Sequence, residues 1–357
     1  MIYLLLLAGV FMGWSLGTND AANAFGTAVA TGVVKYRHAI WIIAVLVIFG
    51  AFVSGENNIG KVAELSTSNE VTASQAAVEK AIADGTVDDL RLKSALKAAI
   101  IFVCAGLTVF IMSCLEFPVS ANQSITGAII GWGLFYADYS APAILEVNLP
   151  QIEKFAMTWL LNPLGAAVIS YVLVQFTRHF LEKRLTSLAH YDTVIRIGYL
   201  GAGAFASYSI GMNSSANVTA LYYDPFFETT GVAANLLTSA QTTAVIGGIA
   251  IALGVLTYSK KVMMTVGSSI APLTQIEGFV VIIGMALTIV IMGNWMGIPV
   301  STSQAVVGAV IGAGLTKEAK NVRFGVLKRI AVAWVSSPTV AGVMAYLIAW
   351  ATKGYFG

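Results

Sequence analysis

The sequence predicts an all-α polytopic membrane protein of about ten to twelve helical segments, folded as two inverted-topology repeats with discontinuous or re-entrant helices. Three observations carry that prediction. Hydrophobic residues make up 57% of the 357-residue chain and charged residues only 11%, against roughly a quarter charged in soluble domains. Apolar runs recur from Tyr3 to Trp350, which excludes a soluble domain on a single anchor. Polar motifs in the first half return, in the same order, in the second.

A span needs about 20 apolar residues. Such runs lie near 1–34, 39–59, 98–117, 118–135, 155–177, 197–223, 232–258, 278–298, 299–315 and 330–350. As one helix the run 1–34 would reach about 51 Å, against a hydrocarbon core of about 30 Å, so it is expected to be broken or folded back. Its middle holds Gly17-Thr18-Asn19-Asp20, polar residues that must be buried in protein or line a cavity. No basic residue precedes the run, so it reads as a span and not as a cleaved leader. The segments 118–135 and 299–315 are short, open with proline and are rich in glycine; discontinuous or re-entrant helices are expected there. The polar stretch 61–97 reads as a surface helix.

Loop charge orients the chain. Lys35, Arg37, Arg178, Lys183, Arg184, Arg196, Lys260, Lys261, Lys317, Lys320, Arg323, Lys328 and Arg329 fall in one set of loops, assigned to the inside. The stretches 61–97, 136–154 and 222–228 carry most of the acids, including Asp88 and Asp224, and are assigned to the outside. A multi-pass protein of the cell membrane follows, embedded in the lipid bilayer with both termini outside. The net charge of +2 leaves no nucleic-acid footprint. Cys104 and Cys114 sit in apolar runs as packing residues, and His38, His179 and His190 lack metal-ligand spacing.

Repetition sets the domain plan. Ser15-Leu16-Gly17-Thr18-Asn19-Asp20-Ala21-Ala22-Asn23 pairs with Ser209-Ile210-Gly211-Met212-Asn213-Ser214-Ser215-Ala216-Asn217. Pro118-Val119-Ser120-Ala121-Asn122-Gln123-Ser124 pairs with Pro299-Val300-Ser301-Thr302-Ser303-Gln304-Ala305, each followed by glycines at matching positions. Trp159 and Pro163 pair more weakly with Trp334 and Pro338. The expected units are a first repeat at 1–177, a basic connecting loop at 178–196 and a second repeat at 197–357. Because the two Asn motifs are entered from opposite sides, the repeats are inverted. Inverted repeats with interrupted helices point to a secondary transporter with its site near the bilayer midplane.

In Pro-Val-Ser-x-x-Gln the proline suits the first turn of a helix, and the following residues present free backbone N–H groups. With the positive helix end and hydroxyls nearby, they suit an oxyanion. Ser120, Asn122, Gln123, Ser124, Ser301, Thr302, Ser303 and Gln304 are therefore the candidate anion-binding residues. The competing reading makes Pro-Val-Ser an N-cap and the glycines packing devices. The Asn motifs gather oxygens suited to a hard cation. Asn19, Asp20, Asn23, Asn213, Ser214 and Asn217, with carbonyls freed at Gly17 or Gly211, form the candidate sodium set. Asp20 is a costly residue in a membrane and functional by default, whether as sodium ligand, proton carrier or acceptor for a protonated oxyanion. Glu56, Glu116 and Glu277 lie at segment ends and read as interfacial.

These residues resemble the inorganic phosphate transporter family, the Pit-type sodium- or proton-coupled phosphate symporters. Gly17-Thr18-Asn19-Asp20-Ala21-Ala22-Asn23 is similar to the family's Gly-Ala-Asn-Asp-Val-Ala-Asn signature, and Pro299-Val300-Ser301-Thr302-Ser303 to its Pro-Val-Ser-Thr-Thr element. The resemblance implies a homodimeric symporter that takes up phosphate, with Na⁺ as coupling ion and no resident cofactor. Three features depart from the pattern. Ser214 stands where the family usually has a second aspartate, Gln123 and Gln304 where histidine is common, and a short basic loop joins the halves. Sulfate and H⁺ remain the alternative cargo, because a site with fewer carboxylates discriminates less against an anion without O–H groups. An ion channel would need a continuous polar pore, and neither an enzyme's nucleophile elbow nor a nucleotide loop is present.

Overall fold

The computed structural model describes residues 2–55, 83–136, 149–182, 187–219, 240–268, 270–296, 300–317 and 323–356. Among them every regular element is a helix, and six helices are long and apolar enough to cross a membrane. The first repeat contributes α1 (Ile2–Ala30), α2 (Tyr36–Ser54), α3 (Val87–Cys114), α4 (Ala121–Tyr136) and α5 (Leu149–Thr177), the last continued by a π-turn at Arg178–Glu182. The second contributes α6 (Leu188–Ser214), α7 (Ala216–Thr219), α8 (Ala240–Tyr258), α9 (Lys260–Ser268), α10 (Gln275–Met296), α11 (Thr302–Leu315), α12 (Phe324–Ala351) and α13 (Lys353–Phe356).

The two helices that follow Pro-Val-Ser are too short to span. α4 has 16 residues and α11 has 14, about 24 and 21 Å at 1.5 Å per residue. Each is the return arm of a hairpin. α3 ends where Ser113 meets Thr18 in the middle of α1, Oγ to Oγ 3.0 Å. The chain then reverses through Glu116, whose φ of 64° is positive. Phe117 N–H donates to Met112 O and Glu116 N–H to Ser113 O, the paired bonds that close a helix end with a left-handed residue. The second copy carries Gly297 at the position of Glu116, a residue free of the left-handed penalty. α10 and α11 form the corresponding hairpin, entering from the opposite end.

The long helix that follows each hairpin, α5 or α12, packs on the hairpin of the other repeat. A Cβ on Gly127 or Gly131 of α4 would overlap the backbone of Pro338 or Gly342 in α12. On α11, Gly308 and Gly312 meet Pro163 and Ala167 of α5 in the same way. The glycines after each Pro-Val-Ser are thus packing devices, letting backbones touch where lipid supplies no hydrophobic drive between helices.

One end of the molecule collects the basic positions. Lys260 lies over the Tyr36 ring, Thr27 Oγ1 donates to Gly278 O, Arg178 and Lys317 pair with Glu277, and Arg323 N–H donates to Ile270 O. At the opposite end Lys93 lies over Tyr355 of α13, where α1 begins and α12 ends.

Three expectations are corrected. The run 1–34 is not broken: α1 is continuous from Ile2 to Ala30. Its polar residues lie within protein, with Asn19 and Asp20 buried, so nothing is gained by interrupting the helix. Gly17 and Gly211 do not free their carbonyls for a cation. Gly17 packs against Ile251, and Gly211 O accepts from Ser215 N–H. The interruption falls in the second copy, at Ser215 between α6 and α7. The surface-helix reading of 61–97 fails for 87–97, which opens α3. The parts of 61–97 and 136–154 at 61–82 and 137–148, together with 222–228, lie outside the described residues.

Candidate functional site

The hairpin tips are held by the first asparagine of each motif. Asn19 Oδ1 accepts from Val119 N–H at 3.1 Å, and its Nδ2 donates to Phe117 O and Ser113 Oγ, both at 3.0 Å. Asn213 repeats this arrangement with Val300 N–H at 2.9 Å and Val300 O at 2.8 Å. Both side chains read as struts: the oxygens assigned to sodium already accept backbone hydrogen bonds. Each tip is capped by its serine. Ser120 Oγ accepts from Gln123 N–H at 3.3 Å and Ser301 Oγ from Gln304 N–H at 3.2 Å, caps worth about 1 kcal/mol each. Ser124 Oγ donates to Ser120 O. The capping reading of these serines therefore holds, while the N–H groups of the first helical turn remain directed at the tip.

Asp20, Asn23 and Ser214 meet the second hairpin. Asn23 Nδ2 lies 3.1 Å from Asp20 Oδ1, 3.1 Å from Thr302 Oγ1 and 3.2 Å from Ser303 Oγ. Ser214 Oγ donates to Asp20 Oδ2 at 3.4 Å, and Asn23 holds the hydroxyls of Thr302 and Ser303 beside that carboxylate. All five residues are buried. Among the described residues, Asp20 forms no salt bridge.

Four buried amide oxygens in the motifs lack a hydrogen-bond partner: Asn23 Oδ1, Asn217 Oδ1, Gln123 Oε1 and Gln304 Oε1. They form two pairs related by the repeat. A buried acceptor left unpaired costs about 1–3 kcal/mol, so the motifs hold a symmetric excess of acceptors. Such oxygens suit a hard cation. Gln304 and Gly308 stand one turn apart on the face turned toward α5, and Gln123 and Gly127 on the face turned toward α12. Asn122 is buried in the first turn of α4. Among the described residues no hydrogen bond ties Ser120, Gln123 or Ser124 to the Asp20 network.

Sequence reasoning missed three contributors. Ser113 braces Thr18 and Asn19; its only signal was an isolated hydroxyl in an apolar run. Asn162, just before Pro163, donates Nδ2 to Ser301 O at 2.6 Å. Glu277, read as interfacial, is 2% exposed and bonded to Arg178 and Lys317.

A duplicated all-helical membrane protein, with paired hairpins whose capped tips meet motif asparagines of both repeats, has the architecture of an inverted-repeat transporter. A family model described as the phosphate transporter family matches it twice, over residues 16–199 and 182–345, and the chain belongs to that family. The Pyrococcus furiosus protein named "Putative phosphate permease" is 27% identical, with 98% of this chain and 95% of that protein covered. "Sulfate permease CysP" of Bacillus subtilis is also 27% identical, over 96% of this chain and 86% of its own length. The solved structure of a protein called "The sodium-dependent phosphate transporter" superposes with a TM-score of 0.75 at 23% identity, covering 98% of each chain; that likeness concerns the fold.

Proposed function

We propose that the protein is a secondary transporter of the cell membrane that takes up inorganic phosphate with Na⁺ by alternating access. The observation that carries this reading is the meeting of Asp20 and Asn23 from one repeat with Thr302 and Ser303 from the other. The hydroxyls of Thr302, Ser303 and Ser214 gather around a single carboxylate and its neighbour Asn23. A cation taken up by Asp20 and the unpartnered amide oxygens would release those hydroxyls, which rotate freely about their C–O bonds, to turn toward an oxyanion. First-turn N–H groups at the hairpin tips would complete its coordination. Cation and anion then depend on each other because they compete for, and share, the same hydroxyls. Phosphate and Na⁺ are cargo in this scheme, the basic end faces the cytoplasm, and the protein works as a homodimer.

Sulfate is the second reading, favoured by one feature: Ser214 occupies the repeat position of Asp20, so the site holds one carboxylate where a symmetric site would hold two. The test is uptake of labelled phosphate and labelled sulfate into proteoliposomes, with Na⁺ and pH gradients imposed separately. Phosphate accumulation driven by inward Na⁺ supports the first reading. Sulfate accumulation without phosphate transport supports the second, and uptake driven only by a pH gradient removes sodium from the scheme.

A further inference from the structure

Glu277 belongs to neither candidate set. It lies in the first turn of α10, 2% exposed, with its carboxylate 2.5 Å from Arg178 Nη2 and 2.9 Å from Lys317 Nζ. Thr274 N–H donates to the same carboxylate at 2.8 Å, and Arg178 Nη1 reaches Thr316 O at 3.3 Å. Three chain ends meet here: the end of α5, the start of α10 and the end of α11. A carboxylate this buried is costly unless paired on both oxygens, so its retention at the base of a hairpin asks for a function.

α5 also touches the hairpin higher up. Asn162 holds Ser301 O at the tip, and Pro163 and Ala167 lie against Gly308 and Gly312 along α11. With the base joined as well, α5 holds the hairpin at its tip, along its length and at its base. The other hairpin shows the same joint made with different chemistry. The spacings that relate the repeats bring Lys317 onto Tyr136 and Arg178 onto Lys353. There, Trp132 packs edge-on against Phe356 at 5.0 Å and against Tyr136 at 5.5 Å, while Phe135 meets Tyr346 at 5.4 Å. Ions close one hairpin base and aromatic rings the other, which marks the joint itself, and not either chemistry, as what the architecture uses.

We propose that Arg178, Glu277 and Lys317 form a clamp that fixes the α10–α11 hairpin to α5 and stays closed throughout transport, with Glu277 the positioning residue for the Ser301–Gln304 tip. The clamp lies inside one body. The contact that parts as this end opens is the one to α1, where Thr27 Oγ1 meets Gly278 O at 3.0 Å.

The proposal rests on the transporter reading only through its uptake readout, so one measurement is made without uptake. In a parent carrying Cys114→Ser, the pair Arg178→Cys and Glu277→Cys, one on each side of the joint between α5 and the hairpin, is bridged by a short thiol-reactive bismaleimide in membranes. A clamp that never opens gives the same bridging rate with and without saturating NaCl and phosphate or sulfate. A ligand-dependent change of about tenfold, the scale of an allosteric coupling, identifies a gate and overturns the proposal.

In proteoliposomes the unbridged pair should raise the half-saturating anion concentration about tenfold through misplacement of the tip, and bridging should restore it. Lys317→Gln, which removes one partner and keeps the other, should shift it in the same direction. Unchanged half-saturation in the unbridged pair and in Lys317→Gln, or loss of uptake on bridging, contradicts the positioning role. Failure of the parent to carry either anion sinks the transport reading instead, and leaves the bridging rate to decide the clamp.

Discussion

Replacing Gly308 with alanine tests whether backbone contact between α5 and α11 sets the hairpin tip. A Cβ there would overlap the carbonyl oxygen of Pro163, a rigid backbone atom in a kinked region of α5. No rotamer relieves that overlap, so the helices must separate by about 1 Å to restore van der Waals distance. Overpacking of this kind costs about 1–3 kcal/mol. The separation acts on the bond from Asn162 to Ser301 O at 2.6 Å, about two turns away along α11, and shifts the first turn of α11. Displacement of a binding group by about 1 Å can cost up to 100-fold. Gly165→Ala supplies a control on α5, since a Cβ there meets only Met292 Sδ of α10 at 3.7 Å; Gly201→Ala, with nothing within 4 Å, supplies a second. The assays are thermal melting of the purified protein and half-saturating anion concentration in proteoliposomes. Gly308→Ala should melt at a lower temperature and need a higher half-saturating anion concentration, while the controls change in neither. Equal behaviour of all three variants would refute backbone contact as the origin of the tip geometry.

Asp20→Asn keeps one oxygen and loses the charge, so the Na⁺ concentration for half-maximal uptake should rise by about tenfold or more, as expected for a lost charge-assisted contact; intact Na⁺ dependence with lost proton-driven uptake would make Asp20 a proton carrier instead. Asn213→Ala leaves the N–H and C=O of Val300 unpaired, at about 1–3 kcal/mol each, and should lower both melting temperature and anion affinity; an effect on Na⁺ alone would return Asn213 to the cation set. Ser214→Asp adds a second acceptor that sulfate cannot satisfy, and the ratio of phosphate to sulfate uptake should rise. Cysteines placed at 183 and 224 should be labelled from opposite sides of the membrane, position 224 from outside; labelling of 183 from outside reverses the orientation drawn from loop charge.

Much of this architecture is legible in the sequence because membranes punish polar residues. Asn19, Asp20 and Asn23 in an apolar run had to be buried in protein, and their return at Asn213, Ser214 and Asn217 exposed the duplication. The short Gly-rich segments after each Pro-Val-Ser announced the hairpins. The division of labour within the motifs was not legible. Asn19 and Asn213 brace backbone, and Ser120 and Ser301 cap helices, because those roles depend on which neighbour lies within 3 Å in space. Continuity of α1 was hidden for a similar reason: a run of 29 helical residues, about 43 Å long, is accommodated by helices of both repeats that pack along it. Glu277 was misread because a segment end looks interfacial until Arg178 and Lys317, far away in sequence, are seen to close over it.

The central claim is that one oxyanion lies between Asp20–Asn23 of the first repeat and Thr302–Ser303 of the second. Crystals grown with Na⁺ and arsenate, a tetrahedral oxyanion whose anomalous scattering marks its position, test it directly. The account predicts one arsenic peak per protomer where Asp20 and Asn23 meet the second hairpin tip, within hydrogen-bonding distance of the Thr302 and Ser303 hydroxyls. A peak held elsewhere, with Thr302 and Ser303 still bonded to Asn23, would contradict it.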